Sequence, residues 1–316
     1  MKIQTFSIVV GTEACNASCP FCISKQTTDA GVPETGLTLQ ERERVDRNFL
    51  KACRLAQLCG CVTILFTGKG EPTLFPKEIS GYLDLMQKYD FPRIELQTNG
   101  IRIWDDYLAR QRNWEDAKTP LPYLQEWYDK GMTTIALSMV HWDDAVNGAI
   151  YAPGREKYAG GGLDPAKRYF PSIPALTRML HDMGFFVRWS ATMLDGYVHD
   201  VESVMELVNA ARRNKVEQLT LRLAFATEST RDAKVNEWVK EHACKREDFV
   251  GLMEWFRSQT KLMTLSHGAA VYDVGSQNVC LTDCMTACPE GDDIRTLIFF
   301  PNGQTRYDWR YEGATL

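Results

Sequence analysis

Three cysteines stand on one short stretch, Cys15-Asn-Ala-Ser-Cys19-Pro-Phe-Cys22, so a single loop can bend all three thiols onto neighbouring metal atoms. A [4Fe–4S] cubane normally takes four cysteines, and a three-cysteine loop leaves one iron open to another ligand. Zinc is the rival occupant, but it asks for a fourth Cys or His at short spacing, and the nearest histidine is the distant His141. Further on, Thr67-Gly68-Lys69-Gly70-Glu71-Pro72 is a Gly-rich turn that carries a carboxylate. Glycines let backbone approach a ligand closely, and Gly-x-Gly turns are also common loop structure. A second triplet, Cys280-Leu-Thr-Asp-Cys284-Met-Thr-Ala-Cys288, lies near the other end of the chain. It fits an auxiliary Fe–S cluster, a zinc site or reduced core cysteines. Cys53, Cys59, Cys61 and Cys244 follow no ligand pattern and read as small buried apolar residues.

These residues need elements to hold them, and the hydrophobic pattern supplies an alternation of strands and helices. Strands are predicted at residues 3–10, 61–66, 93–97, 133–139, 185–191 and 218–223. Between and after them, helices are predicted at 39–58, 78–89, 122–130, 173–183, 201–213 and 248–262. Thr38 with Glu41 forms a capping-box signature for the first helix. Such an α/β alternation implies a parallel sheet or barrel, whose loops at the C-terminal strand ends usually hold the active site. The Gly-rich turn, Thr98-Asn99-Gly100 and Ser138 all fall on such ends. Two stretches break the pattern. Residues 151–170 read as a mobile Gly-rich loop, and the tail ends in a predicted hairpin of 294–300 and 304–309 around Pro301-Asn302-Gly303.

The chain has 316 residues, 44% hydrophobic and 24% charged, with a net charge of -5, which is enough for a sizeable core. An acidic balance argues against a broad nucleic-acid surface. The apolar stretch from Phe6 to Val10 is too short for a signal peptide, and no run approaches the roughly 20 residues of a membrane span. The expectation is a cytoplasmic protein without membrane contact. In a reducing compartment, the clustering of its ten cysteines points to metal binding or redox chemistry rather than disulfides.

The spacing Cys15-x3-Cys19-x2-Cys22, with Phe21 before the last cysteine, resembles the signature of the radical S-adenosylmethionine (SAM) superfamily. The resemblance implies a partial (β/α)6 TIM-like barrel in which the open iron is chelated by the amino and carboxylate groups of SAM. It also implies the chemistry. The reduced cluster gives SAM an electron, and SAM splits to methionine and a 5′-deoxyadenosyl radical that abstracts hydrogen from a substrate or adds to it. The turn at Gly68, Lys69, Gly70 and Glu71 looks like the family's G-G-E-P segment at the SAM amino group, with Lys69 standing where the family has glycine. Thr98, Asn99 and Ser138 match positions that contact the methionine and ribose of SAM, although an Asn-Gly turn and a strand-end Ser also serve as plain structure. Arg188, Ser190 and Arg222 are placed to reach the SAM carboxylate or an anionic substrate, with a buried ion pair as the alternative for either arginine.

The tail is similar to the small Twitch or SPASM extensions of the subgroup that includes MoaA, PqqE and the sactipeptide maturases. That likeness implies a barrel over residues 1–265 and an extension over 266–316, with a second Fe–S cluster on Cys280, Cys284 and Cys288 and a hairpin capping the barrel mouth. Unlike the usual extension, this one has no cysteine after Cys288. The family also implies a flavodoxin or ferredoxin-type reductant and a substrate that is a cofactor precursor, a nucleotide or a peptide. No residue stands out as a catalytic acid or base, and His141-Trp142-Asp143-Asp144 reads as a solvated loop start. The alternative from another class is an iron–sulfur electron carrier or a zinc-stabilised binding protein, neither of which needs a Gly-rich cofactor turn or a barrel.

Overall fold

A computed structural model describes residues 2–27, 37–111, 121–157, 167–227, 230–265, 269–283, 293–309 and 313–316. The chain opens with β1 (Ile3–Val9), which leads into the cysteine loop and the short α1 (Ile23–Gln26). Then come α2 (Leu39–Leu58), β2 (Thr63–Thr67), a 3-10 turn at Pro72–Leu74, α3 (Pro76–Met86), β3 (Arg93–Thr98) and α4 (Ile101–Gln111). The middle holds α5 (Pro122–Asp129), β4 (Met132–Met139), α6 (Asp144–Tyr151), and the small pair β5 (Glu156–Lys157) and β6 (Tyr169–Phe170). After α7 (Ile173–Asp182) follow β7 (Phe186–Met193), α8 (Val201–Arg213), β8 (Gln218–Leu223), α9 (Ala233–His242) and α10 (Arg246–Arg257). The chain closes with β9 (Thr260–Thr264), β10 (Ala270–Val274), β11 (Gln277–Asp283), β12 (Ile294–Phe299) and β13 (Thr305–Arg306).

Local signals explain most of these boundaries. Thr38 caps α2 in the predicted capping box, with Glu41 bonding back to the Thr38 backbone at 2.8 Å. Pro76 and Pro122 open α3 and α5, at positions where a missing backbone donor costs nothing. The Gly100 backbone has φ +74, and its Cβ would stand 2.7 Å from Leu176, so β3 turns into α4 at a site only glycine fits.

One sheet of eleven strands runs in the order β13-β12-β1-β2-β3-β4-β7-β8-β11-β10-β9. The predicted six strands β1, β2, β3, β4, β7 and β8 lie side by side and parallel. The tail extends this run at both ends, β12 pairing parallel to β1 and β11 parallel to β8. The hairpin of β12 and β13 is therefore a flank of the barrel sheet beside β1, where a cap over the mouth was expected. Two further expectations shift: residues 260–262 leave the last helix to begin β9, and residues 144–151 are helix α6. Residues 158–166 of the predicted mobile loop lie outside the described residues.

Alternate residues on each strand face opposite ways. One set, including Phe6, Phe66, Leu96, Leu137, Trp189, Leu221 and Phe299, forms a core with Phe49, Leu83, Trp104, Leu124, Leu180 and Leu207 of the helices. The other set carries the buried polar residues Ser7, Glu95, Thr134, Ser190 and Thr220. A closed TIM barrel fills this inner face with branched apolar side chains, so a polar inner face implies a lumen built for ligands. The face is also concave. Arg188 on β7 reaches Glu95 on β3 across β4, a distance of about 10 Å on a flat sheet with strands about 4.8 Å apart.

Candidate functional site

The cysteine loop leaves β1 at the C-terminal end of the parallel sheet, where it is tied to four neighbours. The Gly70 amide donates to Thr12 O at 3.1 Å and the Glu71 amide to Ala14 O at 3.0 Å, which binds the Gly-rich turn to the loop. Asn99 Nδ2 donates to Asn16 Oδ1 at 2.8 Å and lies 3.9 Å from Cys15 Sγ. The Ser18 amide donates to Tyr151 O at the end of α6 at 2.7 Å. On the far side, Asp232 N donates to Lys25 O at 3.1 Å, and Arg231 pairs with Glu13. Two separate motifs of the sequence are thus one built structure.

The donor set fits a cluster. Cys15, Cys19 and Cys22 are free thiols on this loop, Cys15 exposed and the other two half-buried. Burial pushes the Cys19 thiol pKa up, and the nearby charges of Cys22 and Cys15 add to the shift. Loss of solvation likewise raises Cys15, with smaller contributions from Glu71 and Cys22. Thiols close enough to oppose one another's ionisation are relieved by a cationic metal centre, which takes them as thiolates. The Gly-rich turn fits as well. A Cβ on Gly70 would meet Ala14 O at 2.0 Å, and one on Gly68 would meet Gly70 O at 2.9 Å.

Residues 9–147 match the Radical SAM superfamily. The matched segment covers less than half of the chain. No curated protein matches the chain. Among solved structures, Streptococcus suis SuiB bound to precursor peptide SuiA aligns with 96% of this chain and 59% of that one, at 14% identity and a TM-score of 0.51. SuiB bound to S-adenosylmethionine aligns with 96% of this chain and 60% of its own, at 16% identity and a TM-score of 0.50. The likeness is one of fold, and this chain spans about three fifths of the SuiB chains it resembles.

Within and beside the matched segment, several predicted residues take unexpected positions. Glu71 is buried, and its carboxylate is largely occupied by the protein itself. Oε1 accepts from Thr73 N at 3.1 Å, Thr73 Oγ1 at 2.6 Å and Thr98 Oγ1 at 2.6 Å, while Oε2 accepts from Asn99 N at 3.0 Å. Burial raises its pKa, and these bonds oppose the rise. Glu71 therefore fixes the Thr98-Asn99 turn to the Gly-rich turn, a role the motif alone does not reveal. Lys69 is buried too. Its Nζ donates to Thr27 Oγ1 at 2.7 Å and stands 6.0 Å from the ring centre of Trp309, linking the turn to the chain's tail.

Phe21 packs edge-on against Tyr151, with the Trp238 ring 6.0 Å away. Ser138 and Ser190 sit opposite each other on β4 and β7, and Ser190 in turn faces Thr220 on β8. Cys280 continues that row on β11, buried opposite Thr220. Burial raises its pKa while Arg188 and Arg222 pull it down. Cys284 and Cys288 lie outside the described residues. His141 stacks on Trp142 at 3.8 Å, its Nδ1 accepts from Asp143 N at 3.0 Å, and burial lowers its pKa.

Sequence reasoning missed Tyr151, Glu95, Gln97 and Trp309. Tyr151 is buried, with its ionisation opposed by burial and by Cys19 and Cys22. A signal did exist for the strand residues. Glu95-x-Gln97-x-Asn99, Arg188-x-Ser190 and Thr220-x-Arg222 place polar groups at every second position of strands otherwise read as buried. Among the described residues, no helix is long and apolar enough to cross a membrane.

Proposed function

We propose that this protein is a radical SAM enzyme that holds a [4Fe–4S] cluster on Cys15, Cys19 and Cys22. With cluster and SAM bound, the site supplies one-electron reductive cleavage of SAM to methionine and a 5′-deoxyadenosyl radical that acts on a substrate in the lumen. The observation that carries this reading is the paired backbone bonding of the cysteine loop to the Gly-rich turn, at the mouth of a polar concave sheet. An electron carrier or zinc-stabilised binding protein has no use for that pairing.

The chain's own residues divide the work of positioning. Gly68 and Gly70 keep the turn pressed against the loop, and the Lys69 ammonium anchors the turn to Thr27. Glu71 aligns Thr98 and Asn99 and keeps acceptor capacity on Oε2 for an ammonium group of SAM. Asn99 steadies the cysteine loop through Asn16, and Phe21 walls the loop on the Tyr151 side. Ser138 and Ser190 offer hydroxyls to the ribose or methionine of SAM from the inner face.

The substrate belongs to the cofactor precursors, nucleotides or peptides, and the electron comes from a flavodoxin or ferredoxin-type protein. The late triplet enters this reading as a second cluster in a Twitch or SPASM-like tail, on the strength of its spacing and of Cys280 facing the lumen wall. Anaerobic reconstitution with iron and sulfide tests the first cluster. Converting Cys15, Cys19 and Cys22 together to Ala should remove about four irons per chain. Stoichiometric zinc without iron in anaerobically purified protein would sink the proposal.

A further inference from the structure

Below the cysteine loop, the lumen carries charge that cluster and SAM binding leave unused. β3 turns Glu95 and Gln97 to the same face, and Asn99 follows at the strand's end, so the three mark successive depths. Asn99, uppermost, is engaged with Asn16 in the cysteine loop. Lowest is Glu95, buried and paired with Arg188, which also donates to Thr220 Oγ1 at 3.4 Å. Gln97 lies between. With its amide oxygen turned toward the donors around it, that oxygen is 3.1 Å from Arg222 Nη2 and 3.3 Å from Arg188 Nη2.

Two guanidinium groups thus converge on one neutral oxygen, and the described residues place one carboxylate, Glu95, beside them. Glu95 is shared between Arg188 and the partly exposed Arg93, 3.2 Å away. Arg222 has no carboxylate partner among the described residues, and the Nε atoms of both arginines are buried without an acceptor. Holding two like charges together out of water is unfavourable unless an anion joins them. Guanidinium donors also match the planar, two-oxygen geometry of a carboxylate and the oxygens of a phosphate.

We infer that Arg222, supported by Arg188 and Gln97, is a subsite for an anionic group of the substrate, a carboxylate or a phosphate. The inference deepens the radical SAM reading, because it places the substrate's anion in the lumen beneath the expected SAM position. Depth favours the substrate over the carboxylate of SAM as the source. Arg222 meets β3 at Gln97, two residues or about 7 Å of strand below the Asn99 turn. The enzyme's substrate is therefore an organic anion, held by its charged end with its reacting carbon toward the expected SAM position.

Succinate and inorganic phosphate serve as probes, with anaerobically reconstituted holoenzyme at constant ionic strength and chloride as the control. The parent protein should show a saturable rise in melting temperature with one probe, and which probe does so names the anion. Arg222→Gln should weaken that probe at least about tenfold, the loss expected for a charge-assisted hydrogen bond, while Arg222→Lys retains part of the response. SAM affinity, measured by equilibrium binding, should stay within about twofold in both variants, well short of the tenfold loss of a charged contact. No saturable response in the parent, or equal probe affinity in Arg222→Gln, overturns the subsite. A large loss of SAM affinity with unchanged probe binding assigns Arg222 to SAM and overturns it as well. Formation of 5′-deoxyadenosine by the same preparation reports separately on the radical SAM reading. A protein that makes none yet binds succinate through Arg222 keeps the subsite and loses the radical chemistry.

Discussion

Gly70→Ala should separate the Gly-rich turn from the cysteine loop, and the geometry sets the size of the effect. The added Cβ would lie 2.0 Å from Ala14 O and 2.7 Å from the carbonyl carbons of Ala14 and Glu13. Relief requires the two segments to part by at least about 1 Å, since non-bonded heavy atoms settle near 3.5 Å. That movement would break the bonds from Gly70 N to Thr12 O and from Glu71 N to Ala14 O, at about 1 kcal/mol each. Overpacking adds about 1–3 kcal/mol, for a total of about 3–5 kcal/mol. Gly81→Ala is the matched control. Gly81 lies inside α3 with nothing within 4 Å of an added Cβ, so it should gain about 0.5–1 kcal/mol from helix propensity. Thermal unfolding and iron per chain after anaerobic reconstitution read both variants. Gly70→Ala should melt several degrees lower and bind less iron, whereas Gly81→Ala should do neither. A Gly70→Ala protein with the parent's melting temperature and iron content would refute the idea that turn and loop form one unit.

Other outcomes follow from the same contacts. Glu71→Ala leaves Thr73, Thr98 and the Asn99 amide without their acceptor, at about 1–3 kcal/mol for each buried group left unpaired. SAM affinity measured by equilibrium binding should fall with it, and an unchanged affinity would reduce the turn to plain structure. Thr38→Ala removes the cap of α2 and should cost about 1 kcal/mol. Because the Thr38 bonds hold the Glu41 carboxyl below its usual pKa, that stability is present above the ordinary carboxylate range and is lost as pH falls through the lowered pKa of Glu41. The melting-temperature gap between parent and Thr38→Ala should therefore narrow on acidification, and a gap that widens would contradict the assignment. Replacing Cys280, Cys284 and Cys288 by Ala should lower iron from about eight per chain toward four, as two cubanes become one. Full iron retention would leave that triplet structural.

The parallel sheet was legible because its strands are short apolar runs closed by turn residues. The predicted spans of α2, α8 and β8 coincide with the observed ones. Both ends of the sheet were harder to read. β11 carries Cys280 and ends beside the late cysteines, so it reads as a ligand loop, and only its pairing with β8 makes it a strand. β12 has the signal of a hairpin strand, and sequence cannot say that its other edge meets β1, far back in the chain. At the site, the cysteine loop announced itself by spacing. Glu71 did not reveal its inward bonds, because the Thr98 and Asn99 that donate them lie one β/α unit further on. The lumen charges were hidden for a related reason. Arg188 and Arg222 were visible as strand arginines, but their convergence on Gln97 depends on the curvature of the sheet.

The central claim is tested most directly by incubating anaerobically reconstituted, dithionite-reduced protein with SAM and measuring 5′-deoxyadenosine. A radical SAM site should form it slowly even without substrate, and the variant lacking Cys15, Cys19 and Cys22 should form none. Protein that carries a full [4Fe–4S] cluster yet releases no 5′-deoxyadenosine under these conditions would contradict the account.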